Sequence, residues 1–453
     1  MDKGLHKKYG LLTAITMVVG TVMGSGVFFK SGRVLNATGG NLRLGILAWL
    51  AGGAIMIICA NAFSMMAQRY EYVSGVVDYS EVTMGRSYGY AVGWFMAAIY
   101  YPSLVSILAW LTANYASVLM GFEATSGMTL ALTAFLLVFS YAYNALSPVL
   151  AGKVQVSTTF IKMVPLALMA IFGTVVGLSN GMTVQNFTTV VQQVPAGQGF
   201  FTAVIATAFA YEGWIITTSI NAELVDAKRN LPKALTIGTI IVMVTYILYY
   251  VGLAGTIPNA DLMAGGEAGV RTAFETLFSK AGGTALFVFV IVSCFGTLNG
   301  LTLGCCRGFY ALAVRGEGPD PVRFRQIDPS TNMPTNSAIL GLMMSGFWLF
   351  YFYAANLSGV DLGMFSFDSS ELPIVTLYGM YIPIFLSVMS KEKGLPPFKR
   401  FVLPVLALLS SLFMVFAACY GYRIKVVGYL IVFTVFMLVG LALRRPGRVP
   451  AEQ

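Results

Sequence analysis

Residues 22–28, Val22-Met23-Gly24-Ser25-Gly26-Val27-Phe28, decide the fold because they interrupt the first long apolar segment, roughly residues 11 to 34. Gly24 and Gly26 weaken a helix here, since an interior glycine costs about 1 kcal/mol relative to alanine. In lipid, the backbone groups that a break frees need other partners, so a break is tolerated only beside a cavity. The half-helix after the break begins with free N–H groups and a positive dipole end, which are suited to bind a carboxylate. The two glycines are equally typical of a small-residue contact between membrane helices.

The composition is that of a polytopic membrane protein. Of the 453 residues, 57% are hydrophobic and 10% are charged, and the mean hydropathy is +0.76. A soluble enzyme carries far more charge than this. Apolar runs of about 20 residues predict membrane-spanning helices. We number the twelve such runs as spans 1 to 12, near residues 11–35, 42–68, 88–120, 127–146, 153–178, 200–224, 234–257, 283–314, 336–355, 372–390, 400–421 and 424–443.

The basic residues predict how the chain is oriented in the bilayer. If both termini face the cytoplasm, 20 of the 28 Lys and Arg residues fall in inner segments, as the positive-inside rule requires. We therefore expect a multi-pass protein of the plasma membrane with cytoplasmic termini. The net charge of +9 follows from this asymmetry and gives no reason to expect a nucleic acid partner.

The cysteines predict neither a disulfide framework nor a metal site. All five lie within predicted spans, and the long outer loops have none. The adjacent pair Cys305-Cys306 lacks the spacing and the nearby histidine that zinc needs. We expect no metal and no cofactor.

Lys162 is a candidate functional residue because it lies deep in span 5. It is about nine residues from the inner end of that span, or roughly 13 Å at 1.5 Å per residue. One interpretation is a side chain that extends back to the inner surface. The other is a fixed ammonium that donates to carbonyls and hydroxyls of neighbouring helices, in the manner of a bound cation.

Span 6 is interrupted in the same way as span 1. The apolar run from Phe200 is broken at Phe209-Ala210-Tyr211-Glu212-Gly213-Trp214. Glu212 is a carboxylate well inside a span, which indicates function by default, although it is also suited to pair with a buried basic group. Interrupted spans at corresponding places of two halves are typical of an inverted-repeat transporter with its site at the midplane. We predict repeats over residues 1–178 and 179–390, with spans 11 and 12 and the tail over 391–453.

Other function classes have weaker support in the sequence. The motif HExxH and a Walker lysine are absent, and the lone histidine, His6, lies in the amino-terminal tail. A channel would need a repeated selectivity element. A sensor that binds its ligand without moving it stays open. After span 7, an amphipathic helix is predicted by the helical spacing of Val270, Ala273, Phe274, Leu277 and Phe278, either as a lid over the outer vestibule or as a plain surface helix.

Three stretches resemble the amino acid-polyamine-organocation superfamily, and its L-type amino acid transporter branch in particular. The first, Met23-Gly24-Ser25-Gly26-Val27-Phe28, is similar to the small-residue signature on that superfamily's first helix. Phe209-Ala210-Tyr211-Glu212-Gly213-Trp214, with Glu223 and Arg229-Asn230-Leu231-Pro232, resembles the branch's sixth helix and inner loop. Ser293-Cys294-Phe295-Gly296-Thr297-Leu298-Asn299-Gly300 resembles its eighth helix.

This resemblance implies an all-α LeuT-type fold of 12 transmembrane helices, a 5+5 inverted repeat with discontinuous helices 1 and 6 and two additional C-terminal helices. The substrate carboxylate would meet amides near Ser25, Gly26 and Val27. Its ammonium would meet carbonyls at Met23, Phe209 and Ala210, with Glu212 as a further candidate. Phe209 would also be an aromatic gate. Lys162 falls where related exchangers place a lysine in lieu of sodium, with Ser293 as a partner. The candidates for the side-chain pocket are Tyr100, Tyr101, Tyr211, Cys294 and Asn299.

We therefore expect a sodium-independent secondary transporter that moves neutral or cationic amino acids by alternating access as an exchanger. Proton-coupled uptake of amino acids or polyamines is the alternative. Glu212 stands at a position that is uncharged in many neutral amino acid carriers, so three roles stay open: partner of a cationic substrate, proton carrier or structural residue. The stretch 72–78 lacks the Gly-Gly pair often seen in the family. The outer loop Gly121–Gly127 has no cysteine, so no disulfide-linked accessory subunit is expected.

Overall fold

A computed structural model describes residues 10–69, 75–217 and 224–445. In those ranges the chain is all-α and contains no strand, and Asp328 and Met333 form an isolated antiparallel bridge. The helices are α1 (Leu11–Val22), α2 (Ser25–Ala37), α3 (Leu42–Arg69), α4 (Val76–Met84), α5 (Arg86–Met120), α6 (Gly127–Leu146), α7 (Pro148–Ser179), α8 (Met182–Thr188), α9 (Ala196–Ala210), α10 (Trp214–Thr217), α11 (Ala227–Ala254), α12 (Asn259–Ala313), α13 (Pro321–Phe324), α14 (Thr335–Asn356), α15 (Leu372–Lys391), α16 (Phe398–Tyr422) and α17 (Ile424–Ala442).

The predicted all-α polytopic fold is confirmed. Among the described helices, ten are long and apolar enough to cross a membrane: α3, α5, α6, α7, α11, α12, α14, α15, α16 and α17. The bent pair α1 and α2 makes an eleventh span. Predicted span 6 coincides with α9 and α10, which are shorter, and residues 218–223 lie outside the described ranges.

Both predicted helix breaks are present. Span 1 bends by 48° between α1 and α2, where Met23 takes an extended conformation. Span 6 stops at Ala210, turns through residues 211–213 and resumes as helix at Trp214. Each interruption contains a glycine, Gly24 in span 1 and Gly213 in span 6, and glycine has a low helical propensity.

Span 3 stays helical through its proline, with a π-helical turn just before it. Pro102 has no N–H to donate, and its ring crowds the carbonyl four residues earlier. The helix accommodates this with a π-helical turn at Met96–Tyr100 and then continues to Met120. This agrees with the general rule that π-helical turns absorb such defects inside helices.

The helix that was predicted after span 7 is present within α12. The backbone leaves helical geometry at Gly266 and again at Phe278 and Ser279, so residues 267–277 form a separate helical piece. Val270, Ala273 and Phe274 are buried there, as their spacing predicted. The helix α4 occupies part of the stretch between spans 2 and 3, and residues 70–74 lie outside the described ranges.

The chain divides into two compact units, each built from distant pieces of sequence. Unit 1 comprises Met1–Tyr79, Phe160–Ser293 and Ile374–Gly421, and unit 2 comprises Ser80–Thr159, Cys294–Pro373 and Tyr422–Gln453. Both broken spans belong to unit 1. Helix α3 packs along α9 and α11 in that unit, and a cluster of aromatic rings lies between them, formed by Trp49, Tyr211, Tyr246 and Tyr250.

Candidate functional site

The break in span 1 presents amide groups at the start of α2. The Met23 amide donates to the Val19 carbonyl (2.8 Å) and completes α1. Helix α2 then begins at Ser25, and the first N–H groups of a helix have no acceptor within it. Ser25, Gly26 and Val27 are all buried. These three amides are therefore concentrated in a low-dielectric place with the positive end of the α2 dipole.

The break in span 6 lies directly against the break in span 1. A Cβ atom on Gly26 would stand 2.5 Å from the Cα atom of Ala210, a distance that real Cβ atoms do not reach. Only glycine lets the two backbones approach this closely. The structure thus brings together the two stretches that the sequence singled out.

A second close contact joins the same two breaks. Gly213 has φ +110°, in the region that favours glycine, and a Cβ atom there would stand 2.8 Å from the Thr21 carbonyl oxygen. Two separate glycines, one from each span, are therefore required by the way the breaks fit together.

The carbonyl end of α1 is held by side chains from two other helices. The last four carbonyls of a helix lack intrahelical donors and carry the negative end of its dipole. The Lys162 ammonium on α7 donates to the Gly20 carbonyl, and the Tyr246 hydroxyl on α11 donates to the Val22 carbonyl (2.9 Å). Lys162 is only 2% exposed, so its ammonium is buried at the carbonyl end of α1.

Gly20 is a partner that the sequence did not name for Lys162. Ser293, which the sequence paired with this lysine, is completely buried in the same unit, and that pairing stays a prediction. The lysine does not extend back to a surface, because its side chain is buried and its ammonium donates to α1.

Glu212 follows the end of α9 in the turn between the two half-helices. Both of its carboxylate oxygens are buried. The carboxylate interacts electrostatically with the Cys59 thiol of α3 and the Tyr378 hydroxyl of α15.

Tyr211 anchors the break in span 6 to two neighbouring helices. Its hydroxyl donates to the Trp49 carbonyl (2.9 Å), and its ring stacks on Tyr246 with 5.3 Å between centroids. Because both side chains are buried, the turn after α9 is fixed to α3 and α11 at once.

The remaining pocket candidates belong to unit 2. Tyr100 and Tyr101 make an edge-on ring pair with 5.3 Å between centroids, and Cys294 is completely buried. Asn299 is the centre of a polar network that the sequence did not reveal. Its oxygen accepts from the Tyr143 hydroxyl and the Asn144 amide (2.9 Å), and its amide donates to the Ala151 carbonyl (3.0 Å) and the Gln155 side chain (3.0 Å). This network ties α6, α7 and α12 together, and a pocket role for Asn299 stays a prediction.

Comparison with known proteins identifies the family. Residues 9–442 match the family model for amino acid permeases. The chain belongs to the amino acid permease family. It is 30% identical to the serine/threonine exchanger SteT of Bacillus subtilis over 421 residues, which cover 91% of each protein. It is 26% identical to the human large neutral amino acids transporter small subunit 2, over 78% of this chain and 69% of the human one. It is also 26% identical to the mouse b(0,+)-type amino acid transporter 1, over 91% and 82% respectively.

In this permease, Lys30 is a buried residue beside the two breaks that sequence reasoning did not single out. The sequence placed it within span 1 and assigned it no role, whereas the structure buries it completely on α2. Its ammonium stands 4.8 Å from the ring centroid of Phe29 and 5.0 Å from that of Phe209. The signal that could have found it is the one that found Lys162, a basic residue inside an apolar run.

The cysteines and acidic residues of this permease form no metal centre in the part of the chain that the structure describes, where no three His, Cys, Asp or Glu side chains group together. All five cysteines lie in that part and are free thiols. Four of them are buried, and Cys419 is exposed.

Proposed function

We propose that this permease is a secondary transporter that binds an amino acid between the breaks of spans 1 and 6 and carries it by alternating access. The direct contact of Gly26 with Ala210 is the observation that carries the proposal. A carboxylate is suited to the amides of Ser25, Gly26 and Val27, and an ammonium to the carbonyls of Met23, Phe209 and Ala210. Sites of this kind, at half-helix ends near the midplane, are typical of inverted-repeat transporters. The repeats proposed here are residues 1–178 and 179–390, followed by 391–453.

Transport is proposed to need no sodium. In sodium-coupled relatives of this architecture, carbonyls at half-helix ends coordinate the ion. Here the Lys162 ammonium donates to the Gly20 carbonyl, so a covalently attached charge occupies such a position. This feature supports a carrier whose coupling does not depend on sodium.

Exchange of amino acids is the proposed mode. The relative SteT is named as a serine/threonine exchanger, and its alignment with this chain covers 91% of each protein. This supports counter-transport. The other two relatives are named as amino acid transporters, which supports an amino acid substrate rather than an enzymatic reaction. The substrate proposed is a neutral or cationic amino acid, and no disulfide-linked accessory subunit is needed.

Proton-coupled uptake is a second candidate, and Glu212 favours it. Its carboxylate is buried within a span and interacts electrostatically with a thiol and a phenol, and ionisable residues inside spans are typical of proton relays in transporters. A transporter of amino acids or polyamines that uses a proton gradient would need such a group near its substrate.

Counterflow in liposomes tests both candidates. The purified chain would be reconstituted with unlabelled amino acid inside, and uptake of labelled neutral amino acids, basic amino acids and polyamines measured with and without sodium and a pH gradient. Exchange predicts saturable uptake that internal substrate accelerates and that sodium does not change. Proton coupling predicts uptake that follows the pH gradient without internal substrate. Substrate conductance at rates far above those of carriers would indicate a channel and would contradict both candidates.

A further inference from the structure

Lys30 is an unusual lysine because it is completely buried within a membrane-spanning helix. It lies five residues after Ser25 on α2, or about 7.5 Å along the axis. A lysine whose stem only covers apolar surface keeps its ammonium in water, and this one does not. A buried ammonium needs favourable electrostatic partners, since its desolvation is costly.

Two aromatic rings supply such partners. The Lys30 ammonium is 4.8 Å from the centroid of Phe29 and 5.0 Å from the centroid of Phe209, within the roughly 6 Å over which a cation is attracted to the face of a ring. The two rings stand edge to face with 6.1 Å between centroids and 77° between planes. A cation–π contact of a buried ammonium is stronger than that of an exposed one.

The contact crosses from one broken span to the other. Lys30 and Phe29 belong to α2, and Phe209 is next to Ala210, the residue against which Gly26 packs. In folds of this kind, alternating access rocks or gates one part of the molecule against another around a site at such breaks. A bond from α2 to the Phe209 ring therefore resists separation of the two half-helices.

We propose that Lys30 is a positioning residue that holds the Phe209 ring across the amino acid site, by a cation–π contact linking α2 to the end of α9. The role of Phe209 as a gate rests on the proposed function, whereas the contact itself does not. Substrate bound behind a gate that is held closed escapes less easily. Removing the charge therefore weakens apparent affinity more than it slows turnover.

Charge and shape are separated by a set of variants. Lys30→Met keeps the length and apolar stem and removes the charge, and Lys30→Arg keeps a cation that can lie over a ring. Phenylalanines with one, two or three fluorines at position 209 keep the ring shape and weaken its negative face. Arg33→Met is the matched control, because Arg33 also lies over Phe29, at 5.3 Å, but is exposed on the same helix.

In counterflow, Lys30→Met is expected to raise KM about tenfold with a change in maximal rate below about twofold, the scale of one buried cation–π contact. Lys30→Arg should recover most of the affinity, and Arg33→Met should stay within about twofold of the unaltered chain. Successive fluorines at 209 should raise KM stepwise in the unaltered chain and have no effect in the Lys30→Met background. A fluorine response that is flat, or the same in both backgrounds, would overturn the proposal.

A spectroscopic measurement keeps the test independent of transport. The ¹⁹F signal of a single fluorophenylalanine at 209, recorded in lipid nanodiscs, should move or split on Lys30→Met and stay in place on Arg33→Met. An unchanged signal in Lys30→Met would reject the contact. If the unaltered chain exchanges no amino acid while this signal responds as expected, the proposed function fails and the contact stands.

Discussion

The contact between Gly26 and Ala210 makes residue 26 the most sensitive position of the site. A methyl group at Gly26 would stand 2.5 Å from the Ala210 Cα atom and 3.2 Å from its Cβ atom. Gly26→Ala should lower exchange by about tenfold or more, since overpacking costs about 1–3 kcal/mol. Gly32→Ala on the same helix is the control, because a Cβ atom at Gly32 would meet no atom within 4 Å. Equal counterflow rates in the two variants would show that the breaks need not touch.

Lys162 tests the link between a fixed charge and movement. Removal of the Lys162 ammonium leaves the Gly20 carbonyl at the end of α1 without its charged hydrogen-bond donor. Such a hydrogen bond contributes about 1.5–3 kcal/mol of stabilisation. Lys162→Ala should therefore reduce flux strongly while leaving much of the substrate binding, as measured by counterflow and by equilibrium binding in detergent. Lys153→Ala, which removes an exposed lysine from the same helix, should do neither. Full flux in Lys162→Ala would end the comparison with a bound cation.

Glu212 decides between substrate classes. Glu212→Gln keeps the shape and removes the charge, so uptake of basic amino acids should fall about tenfold or more beyond that of neutral ones if the carboxylate binds a side-chain ammonium. Loss of the pH-gradient dependence alone would favour the proton carrier. Equal loss for all substrates would leave a structural role. Glu123→Gln, at an exposed position, provides the reference.

At the level of helices, α1 depends on Tyr246 to complete its last turn. The Tyr246 hydroxyl satisfies the Val22 carbonyl, and both groups are buried. Tyr246→Phe should lower the free energy of unfolding by about 1–3 kcal/mol, because a buried acceptor is left without a donor. The midpoint of thermal unfolding in detergent measures this, with Tyr420→Phe at an exposed ring as control. Equal midpoints would mean that water or another group takes over the carbonyl.

The helix breaks could be predicted from sequence because their cause is local. Glycines beside Ser25 and Glu212 weaken a helix whatever lies around them. The partners of Lys30 and Asn299 could not be predicted, since they depend on which way side chains point across helices that are far apart in sequence. Lys30 meets a ring 179 positions later, and Asn299 meets Tyr143, 156 positions earlier. Hydropathy carries no information about such pairs.

For the molecule as a whole, the spans could be predicted because crossing a bilayer requires only a long apolar run. The grouping of the spans into units could not. Unit 1 joins residues 1–79 to 160–293 and 374–421, which is a pattern of long-range packing. The proposed repeats are a different kind of division. They state that residues 1–178 and 179–390 have similar, inverted structures, and not that each range packs as one unit.

Two ion pairs of Glu317 in unit 2 bring three distant chain positions together at one face of that unit. Glu317, 3% exposed, pairs with Arg86 at the start of α5 (3.0 Å) and with Arg444 after the end of α17 (2.6 Å). A buried carboxylate needs such partners, so these three positions share one membrane face. They are all positions that the distribution of basic residues assigns to the cytoplasm, which supports the proposed orientation.

Labelling of single cysteines tests this orientation. In a Cys419→Ser background, which removes the exposed native thiol, Glu123→Cys reports on the loop between α5 and α6, and Ser330→Cys reports on the loop between α13 and α14. Both positions are exposed. An impermeant maleimide should label the first variant in intact cells and the second only after permeabilisation, because the loop at Glu123 is proposed to be external. The opposite pattern would show that the protein has the reverse orientation. Most of its basic residues would then lie outside, contrary to the positive-inside rule.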